Sequence, residues 1–486
     1  MKWALYNLLF AAVYPFLLPG FLVRMLRRGG YAARMGDRFA LYPEGLFGKD
    51  RELYDSHKDF RRETGDFVWI HAVSVGEVQV AGQLMREWRK VEPDVRFCFS
   101  TTSSTGWKIA EKELKDLGIQ CSTSNLQPST SDVLIYNPLD FPNFVKSALR
   151  TVRPRAIVLT ESEIWPNFIR TAKKMDIPLF LINARVSDRS APRYKAAKWF
   201  FGEVLSCFAK IFAQSDLDKA RLVAAGAPTD KVEVTGSFKF DVAHRNEVKE
   251  KELREWILGS GRVSVGSDTV CGAAKDPNQT LNVPKILLGG STWPGEDEVL
   301  LKIYKGVLEL SGAPGGRALP WLVIAPRHFE KADAIEANIR KYGFACVRRS
   351  RGEKGAIHCT TTTSDYDYPP VYLADTTGEL MGLYGIADVV FVGKSLCAHG
   401  SQNMIEPCLC GKPTLVGPYT ENFRPVMSDL LASDAILQVK DAKELEEKIV
   451  DLFGKDDSGL GERAKAAVEK RLGVVAKCVK EIRGAL

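Results

Sequence analysis

Two acids, Glu161 and Glu163, follow directly on an apolar run in Thr160-Glu-Ser-Glu-Ile-Trp-Pro-Asn167. A carboxylate at the end of a buried strand is costly unless something pairs with it. They read either as working carboxylates or as salt-bridge partners of a base such as Arg185. A third acid closes Trp69-Ile-His-Ala-Val-Ser-Val-Gly-Glu77. Ser74-x-x-Glu77 before an apolar helix is a capping box. The same carboxylate would serve as a general base if burial raised its proton affinity or geometry compensated. Gly76 leaves room for a ligand to approach the backbone. The hydroxyl-rich turn Thr101-Thr-Ser-Ser-Thr-Gly-Trp107, with Thr105 and Gly106, offers amides to an anion, or simply N-caps a helix.

A second group of polar residues has the chemistry of phosphate and ribose recognition. Gly289-Gly-Ser-Thr-Trp-Pro-Gly-Glu296 places Ser291 and Thr292 at a strand-to-helix turn suited to a phosphate. No Gly-Lys-Ser/Thr follows at the spacing of a Walker loop. Lys239, Arg327 and His328 can add positive charge there. In Gly393-Lys-Ser-Leu-Cys-Ala-His-Gly-Ser-Gln-Asn-Met-Ile-Glu-Pro407, Asn403 and Glu406 lie one helical turn apart. Glu406 would hold two ribose hydroxyls, or else serve Asn403 as its capping partner.

Repeated strand–helix units position these residues. Phe67–Val73, Arg96–Thr101, Val133–Tyr136, Ala156–Thr160, Leu179–Asn183, Lys210–Gln214 and Val232–Thr235 read as buried strands with helical segments between most of them. The rhythm resumes at Lys285–Leu288, Trp321–Ala325, Val371–Ala374, Val389–Val392, Thr414–Val416 and Ile436–Val439. Such alternation implies α/β domains with parallel sheets covered on both faces. The polar motifs fall at strand ends, where open parallel sheets bind ligands. Two decorated sheets imply an active-site cleft between two domains. The polar stretches 122–131, 259–282 and 360–364 read as exposed loops or insertions. The boundaries are a leader helix over 1–28, an N-terminal domain over 29–245, a linker or insertion over 246–284, and a C-terminal domain over 285–486. Its last helices are placed to pack back on the first domain.

The 486 residues exceed what one core usually serves. With 45% hydrophobic and 26% charged residues, the chain is a folded globular protein. A net charge of +7 suits anionic substrates or a membrane surface better than nucleic acid. The ten cysteines lack metal-ligand spacing, so no metal is expected and the compartment is reducing. From Ala4 to Val23 the chain is almost wholly apolar, with Pro15 and Pro19 inside the run. It is too long for the core of a signal peptide. Arg24, Arg27, Arg28, Arg34 and Arg38 follow it, which puts the rest of the chain on the cytoplasmic side. The helix either spans a bilayer or lies in its interface.

As a set, these motifs resemble the 3-deoxy-D-manno-oct-2-ulosonic acid (Kdo) transferases. The match runs through His-Ala-Val-Ser-Val-Gly-Glu77, Thr-Gly106, Glu-Ser-Glu-Ile-Trp-Pro-Asn167, Asn-Ala-Arg185, Thr-Gly-Ser-Phe-Lys-Phe-Asp241, Ser-Thr292 and Ala-Pro-Arg-His328. It continues through Thr-Gly-Glu-Leu380, Tyr-Gly-Ile-Ala-Asp388, Phe-Val-Gly393, Gln-Asn403 and Gly-Pro418 to Asn-Phe423. The resemblance implies a GT-B fold of two Rossmann-like domains, a CMP-Kdo donor used as substrate rather than cofactor, and a lipid A precursor as acceptor. It further implies inversion at the anomeric carbon without a metal, and attachment to the inner membrane with the catalytic domains on its cytoplasmic face. Matching motifs make Glu77 the general base and Glu161 and Glu163 part of the catalytic acceptor or sugar site. Ser74, Gly76, Thr105, Gly106 and Arg185 fall on the acceptor side. Lys239, Ser291, Thr292, Arg327, Gly378, Asn403 and Glu406 fall on the donor side. Trp293 stands where the family usually has His, and Lys394 and Ser401 replace common glycines. Two other readings are a GT-B enzyme using a UDP-sugar and a non-catalytic module that binds nucleotide or lipid.

Overall fold

A computed structural model describes residues 2–28, 32–47, 65, 67–116, 132–242, 247–258, 264–265, 268–269, 284–311, 319–353, 368–454 and 459–486. The stretches 122–131 and 360–364 lie outside the described residues. So does 259–282, apart from a two-stranded antiparallel pair near its start. The chain divides into two units, Met1–Val242 with Gly473–Leu486, and Ala243–Leu472.

The first unit is built on seven strands, β1 (Phe67–His71), β2 (Arg96–Thr101), β3 (Val133–Tyr136), β4 (Ala156–Thr160), β5 (Leu179–Ala184), β6 (Lys210–Ala213) and β7 (Val232–Val234). All pairs are parallel, in the order β3-β2-β1-β4-β5-β6-β7. Five consecutive buried residues in β1, Phe-Val-Trp-Ile-His, follow from a sheet covered on both faces. Trp69, Ile135, Ile157 and Leu181 pack into one core, and Val68, Ile70, Phe97 and Val158 into the other. The second core also takes Val475, Cys478 and Ile482 from the final helix, Val474–Gly484. Asp241 caps that helix by accepting from the Gly473 and Val475 amides, both at 2.7 Å. Strand order reverses between β1 and β4, and the crevice at such a reversal is where these sheets bind ligands.

The N-terminal segment forms a 27-residue helix, Lys2–Arg28. Among the described residues no helix is long and apolar enough to cross a membrane. Two of the basic residues after it are engaged within the unit. Arg38 is buried and donates to the Thr102 carbonyl at 2.7 Å, and Arg34 pairs with the buried Asp37 at 3.1 Å. Asp37 accepts in turn from the Tyr136 amide, so this turn is spliced onto the edge strand β3.

The second unit opens with a helix, Glu247–Leu258, inside the stretch read as a linker. Its Leu253, Trp256 and Ile257 are buried, and Ile257 accepts from the Tyr372 hydroxyl at 2.9 Å. The antiparallel pair is β8 (Ser264–Val265) with β9 (Asp268–Thr269). A second parallel sheet follows, from β10 (Ile286–Thr292), β11 (Trp321–Pro326), β12 (Cys346–Arg348), β13 (Val371–Leu373), β14 (Val389–Val392), β15 (Thr414–Val416) and β16 (Leu437–Gln438). Its order is β12-β13-β11-β10-β14-β15-β16, with the reversal between β10 and β14. Both units are thus doubly wound parallel sheets, as the alternation of apolar runs predicts.

Candidate active site

In the first unit the predicted acids converge on the reversal between β1 and β4. Glu77 is 7% exposed. Its Oε2 accepts from the Val73 amide at 2.9 Å and lies 3.1 Å from the Thr160 hydroxyl, while Oε1 accepts from the Ser74 hydroxyl at 2.9 Å. Ser74 is the N-cap of the helix Val75–Val91, and its oxygen receives the Glu77 amide at 3.3 Å. Ser74 and Glu77 therefore form a variant of the capping box, in which the carboxylate takes the Val73 amide and the Ser74 hydroxyl in place of the Ser74 amide. The box does not exhaust the carboxylate, which has about four lone-pair positions and three near donors. Thr160 ends β4, so the contact ties the two strands that flank the crevice. A Cβ at Gly76 would meet nothing within 4 Å, so space lies open beside the acid.

Glu161 sits in the left-handed region at φ 48°, a conformation a glutamate adopts only where its surroundings enforce it. Its Oε2 lies 3.2 Å from Arg185 Nε, and its Oε1 accepts from the Asn183 amide group at 3.3 Å. Burial raises the Glu161 carboxyl, Arg185 draws it back, and Glu77 adds repulsion. The same Asn183 accepts from the Phe238 amide at 3.1 Å, which fixes the turn bearing Lys239. Burial lowers the Lys239 ammonium, and Glu161 opposes that fall. Lys239 thus belongs to the Glu161 cluster. Glu163 accepts from the Trp165 indole at 3.0 Å, and its Oε2 lies 3.6 Å from Nε2 of the fully buried His71. That ring nitrogen has no hydrogen-bond partner, while Nδ1 lies 2.8 Å from the Ser100 hydroxyl.

Gly106 is a packing requirement. A Cβ there would lie 2.4 Å from Thr101 Oγ1 and 2.9 Å from the Val73 carbonyl. Its amide donates to Ser103 Oγ at 2.9 Å, and Ser103 in turn lies 3.4 Å from that carbonyl. The hydroxyls of the 101–107 turn therefore cap and pack, and Thr105 is exposed at its rim. No residue in this group announced itself by type alone. The roles of His71 and Thr160 were hidden because each lies inside a motif whose acids drew attention first, and that of Asn183 because it stands beside Arg185.

In the second unit, Ser291, Arg327 and Gly378 line one small cavity of about 120 Å³ together with Pro326, Thr376 and Glu379. Ser291 and Gly378 both take positive φ, 52° and 81°. Thr292 is buried beside them, and its carbonyl accepts from the Arg327 amide at 3.0 Å. Glu379 is held by Arg349, Thr376 and Lys249, which keep its carboxyl down at about 2. Asn403 donates to Glu406 Oε1 at 3.0 Å and accepts from the Ile405 amide at 3.1 Å, one residue ahead of Met404, the N-cap of the helix Ile405–Leu409. Burial pushes the Glu406 carboxyl up.

One acid in this unit went unassigned in the sequence. Glu296, fully buried, accepts from the amides of Trp293 and Lys394 through Oε2, both at 2.8 Å. Its Oε1 takes the amides of Ser395 and Leu396 at 3.1 Å and of Cys397 at 3.4 Å. The amides of residues 394–397 are therefore already occupied by a carboxylate. Glu296 stands at the end of the quoted turn, three residues after Trp293, and that spacing is the signal for it. The unusual residues also meet: the Lys394 ammonium lies 4.8 Å from the Trp293 ring, and His328 meets that ring edge-on at 4.6 Å. Among the described residues no group of three or more His, Cys, Asp or Glu is placed to hold a metal ion.

The first unit matches the family model described as 3-Deoxy-D-manno-octulosonic-acid transferase (kdotransferase), over residues 33–242. A 3-deoxy-D-manno-octulosonic acid transferase of Bordetella pertussis is 33% identical over 77% of this chain and 77% of its own length. A bifunctional glycosyltransferase/methyltransferase of Fusobacterium nucleatum is 28% identical over 81% of this chain, which spans only 53% of that longer protein. Among solved structures, a glycosyltransferase from Rickettsia africae shares the fold, with a TM-score of 0.51 at 13% identity over 86% of this chain and 98% of its own. On this likeness in sequence, over most of both chains, the protein belongs to the 3-deoxy-D-manno-octulosonic acid transferase family and is a glycosyltransferase.

Proposed function

We propose that the chain moves Kdo from CMP-Kdo to a sugar hydroxyl of a lipid A precursor, with inversion, at the cytoplasmic face of the inner membrane. The observation that carries the reading is the buried Glu77 carboxylate. It is held by Val73, Ser74 and Thr160 at the strand reversal, with open space beside Gly76. The acceptor oxygen attacks C2 of Kdo and its proton passes to Glu77. The bond from C2 to the phosphate oxygen breaks, and CMP leaves with the electron pair. A base in this role contributes roughly 10²–10⁴-fold. Arg185 and Lys239 balance the charge of Glu161, so that acid and Glu163 are free to orient acceptor hydroxyls or the Kdo carboxylate's surroundings. Positioned charge at Arg327, in the second unit, would offset the phosphate charge as it develops.

The cavity at Ser291, Arg327 and Gly378 would take part of the donor. At about 120 Å³ it is smaller than the roughly 300 Å³ at which small-molecule pockets begin. Asn403 and Glu406 would receive the ribose. The decisive experiment is mass spectrometry of a lipid A precursor incubated with the protein and CMP-Kdo. The expected product is the acceptor plus one or more Kdo residues. Tight calorimetric binding of UDP with none of CMP, and no mass gain, would sink the assignment in favour of a UDP-sugar enzyme. Binding without turnover would favour a non-catalytic module.

A further inference from the structure

The loop bearing Glu161 and Glu163 runs into the helix Pro166–Lys174, which has no side-chain cap of its own. Its first-turn amides are satisfied from elsewhere. Asp140 accepts from the Asn167 amide at 3.0 Å through Oδ2 and from the Phe168 amide at 2.8 Å through Oδ1. The Asp140 carbonyl takes one hydrogen of the Asn167 side chain at 2.6 Å. Both residues are buried.

Two residues of the N-terminal helix complete this cluster. Tyr6 donates to Asp140 Oδ2 at 3.0 Å, and Asn7 Oδ1 takes the other side-chain hydrogen of Asn167 at 2.8 Å. The rings of Tyr6 and Phe10 dock beside them, on Phe200 at 5.3 Å and on Phe141 at 5.0 Å. The same helix exposes Leu5, Leu8, Leu9, Val13 and Phe16, the last at 85%. One side of the helix is thus wired to the acid loop, and other side chains offer apolar surface to a partner. A lipid surface is the partner that fits, because these residues are apolar and most of them lie on the side of the helix turned away from Tyr6, Asn7 and Phe10.

We infer that the N-terminal helix is a positioning element for the acid loop, with Tyr6 and Asn7 acting through Asp140 and Asn167, so that seating the helix on lipid and ordering Glu161 and Glu163 are linked. Removing Tyr6 or Asn7 leaves a buried acceptor or donor underpaired, and that cost falls on the docked state alone. Linkage then makes the coupling reciprocal: lipid that favours the docked helix also orders the loop. Only the kinetic arm of the test rests on the transfer proposed above.

The test uses the full chain, with Tyr6→Phe, Asn7→Ala and the double variant, none of which alters the exposed apolar side chains. Hydrogen–deuterium exchange over residues 160–174 is followed with and without vesicles of phosphatidylethanolamine and phosphatidylglycerol. Vesicles should slow exchange there in the unaltered chain. Each variant should speed it about fivefold to tenfold, the worth of one hydrogen bond. CMP binding by calorimetry should stay unchanged. With a lipid-linked acceptor, kcat should fall by a similar factor while KM for CMP-Kdo holds. Unchanged exchange over 160–174 in the double variant would overturn the inference. So would faster exchange spread evenly over the whole first unit, the mark of a merely structural role. An unaltered chain that shows the exchange pattern but transfers no Kdo would overturn the proposed function and leave this inference standing.

Discussion

Glu77 has two duties that are usually read as rivals. Its carboxylate closes a capping box with Ser74, and it also faces open space at the strand reversal. The two are compatible because a carboxylate has more lone pairs than the cap uses. Glu77→Gln keeps one acceptor oxygen and the shape of the cap, so the thermal midpoint should move little. If Glu77 is the base, kcat should fall by about 10²–10⁴-fold while CMP-Kdo still binds. Retained activity in the variant would return Glu77 to capping alone. Gly106 gives a second test at this scale. Gly106→Ala drives a methyl against Thr101, Ser103 and the Val73 carbonyl, at 2.4–2.9 Å. Overpacking of this kind costs about 1–3 kcal/mol. The shift reaches Val73, whose amide holds Glu77, so urea denaturation and kcat should both suffer. The glycines expected at positions 394 and 401 are explained here as well: Lys394 and Ser401 sit at φ 57° and 61°, where glycine is favoured. The acids were legible in the sequence because a carboxylate at the end of an apolar run must be paired or put to use. Their partners were not, because His71, Thr160 and Asn183 act through contacts between strands distant in the chain.

At the scale of elements, the apolar runs located nearly every strand, since a sheet buried on both faces needs runs of that kind. The exceptions are the pair β8 and β9, inside a stretch that reads as a loop, and β12, Cys346–Arg348. β12 is an edge strand of half-buried residues with an arginine at its end, and it carries no such run. The turns between elements were less legible, and Glu296 is the clearest case. It joins the start of the helix Glu296–Ser311 to the loop after β14 through four amides, and takes a fifth, that of Trp293, from its own turn. Glu296→Ala would leave those amides buried without an acceptor, at about 1–3 kcal/mol each where water cannot enter. The second unit should lose several kcal/mol in chemical denaturation, and CMP binding should weaken with it. Glu296→Gln should recover part of both. Asp140 supplies the matching test in the first unit. Burial pushes its carboxyl up to about 7, above the ordinary 3.8. The folded state therefore holds the proton more tightly than the unfolded chain does. Asp140's contribution to stability is greatest below about pH 4 and is lost as pH rises towards 7. Urea titrations of the unaltered chain and Asp140→Asn at pH 5 and pH 8 should show the former losing ground at pH 8. An equal difference at both pH values would contradict the shift.

For the whole molecule, the proposed lipid acceptor raises the question of what would bring a globular transferase to a membrane. Net charge of +7 favours an anionic surface but is mild for 486 residues. The run of arginines after the leader promised a basic anchor, yet Arg34 and Arg38 are spent on Asp37 and the Thr102 carbonyl. Sequence alone cannot separate an arginine that faces lipid from one that pins a turn, because both follow an apolar helix. The attachment proposed above would then draw on apolar area: the helix Lys2–Arg28 presents Leu8 at 68% and Phe16 at 85% exposure. A fully buried Leu or Phe is worth about 1.5–3 kcal/mol, and roughly half of that for a side chain only partly immersed. The pair Leu8→Ser and Phe16→Ser should then weaken vesicle binding by about 1.5–3 kcal/mol, or roughly 13- to 150-fold in the partition constant. Co-sedimentation with anionic vesicles measures this directly. Neither side chain is part of the core, so the urea midpoint should not move and CMP should bind as before. Transfer to a vesicle-borne acceptor should fall with the partition constant and recover at high lipid concentration. Unchanged partition in the double variant would show that the exposed face is not what meets the membrane.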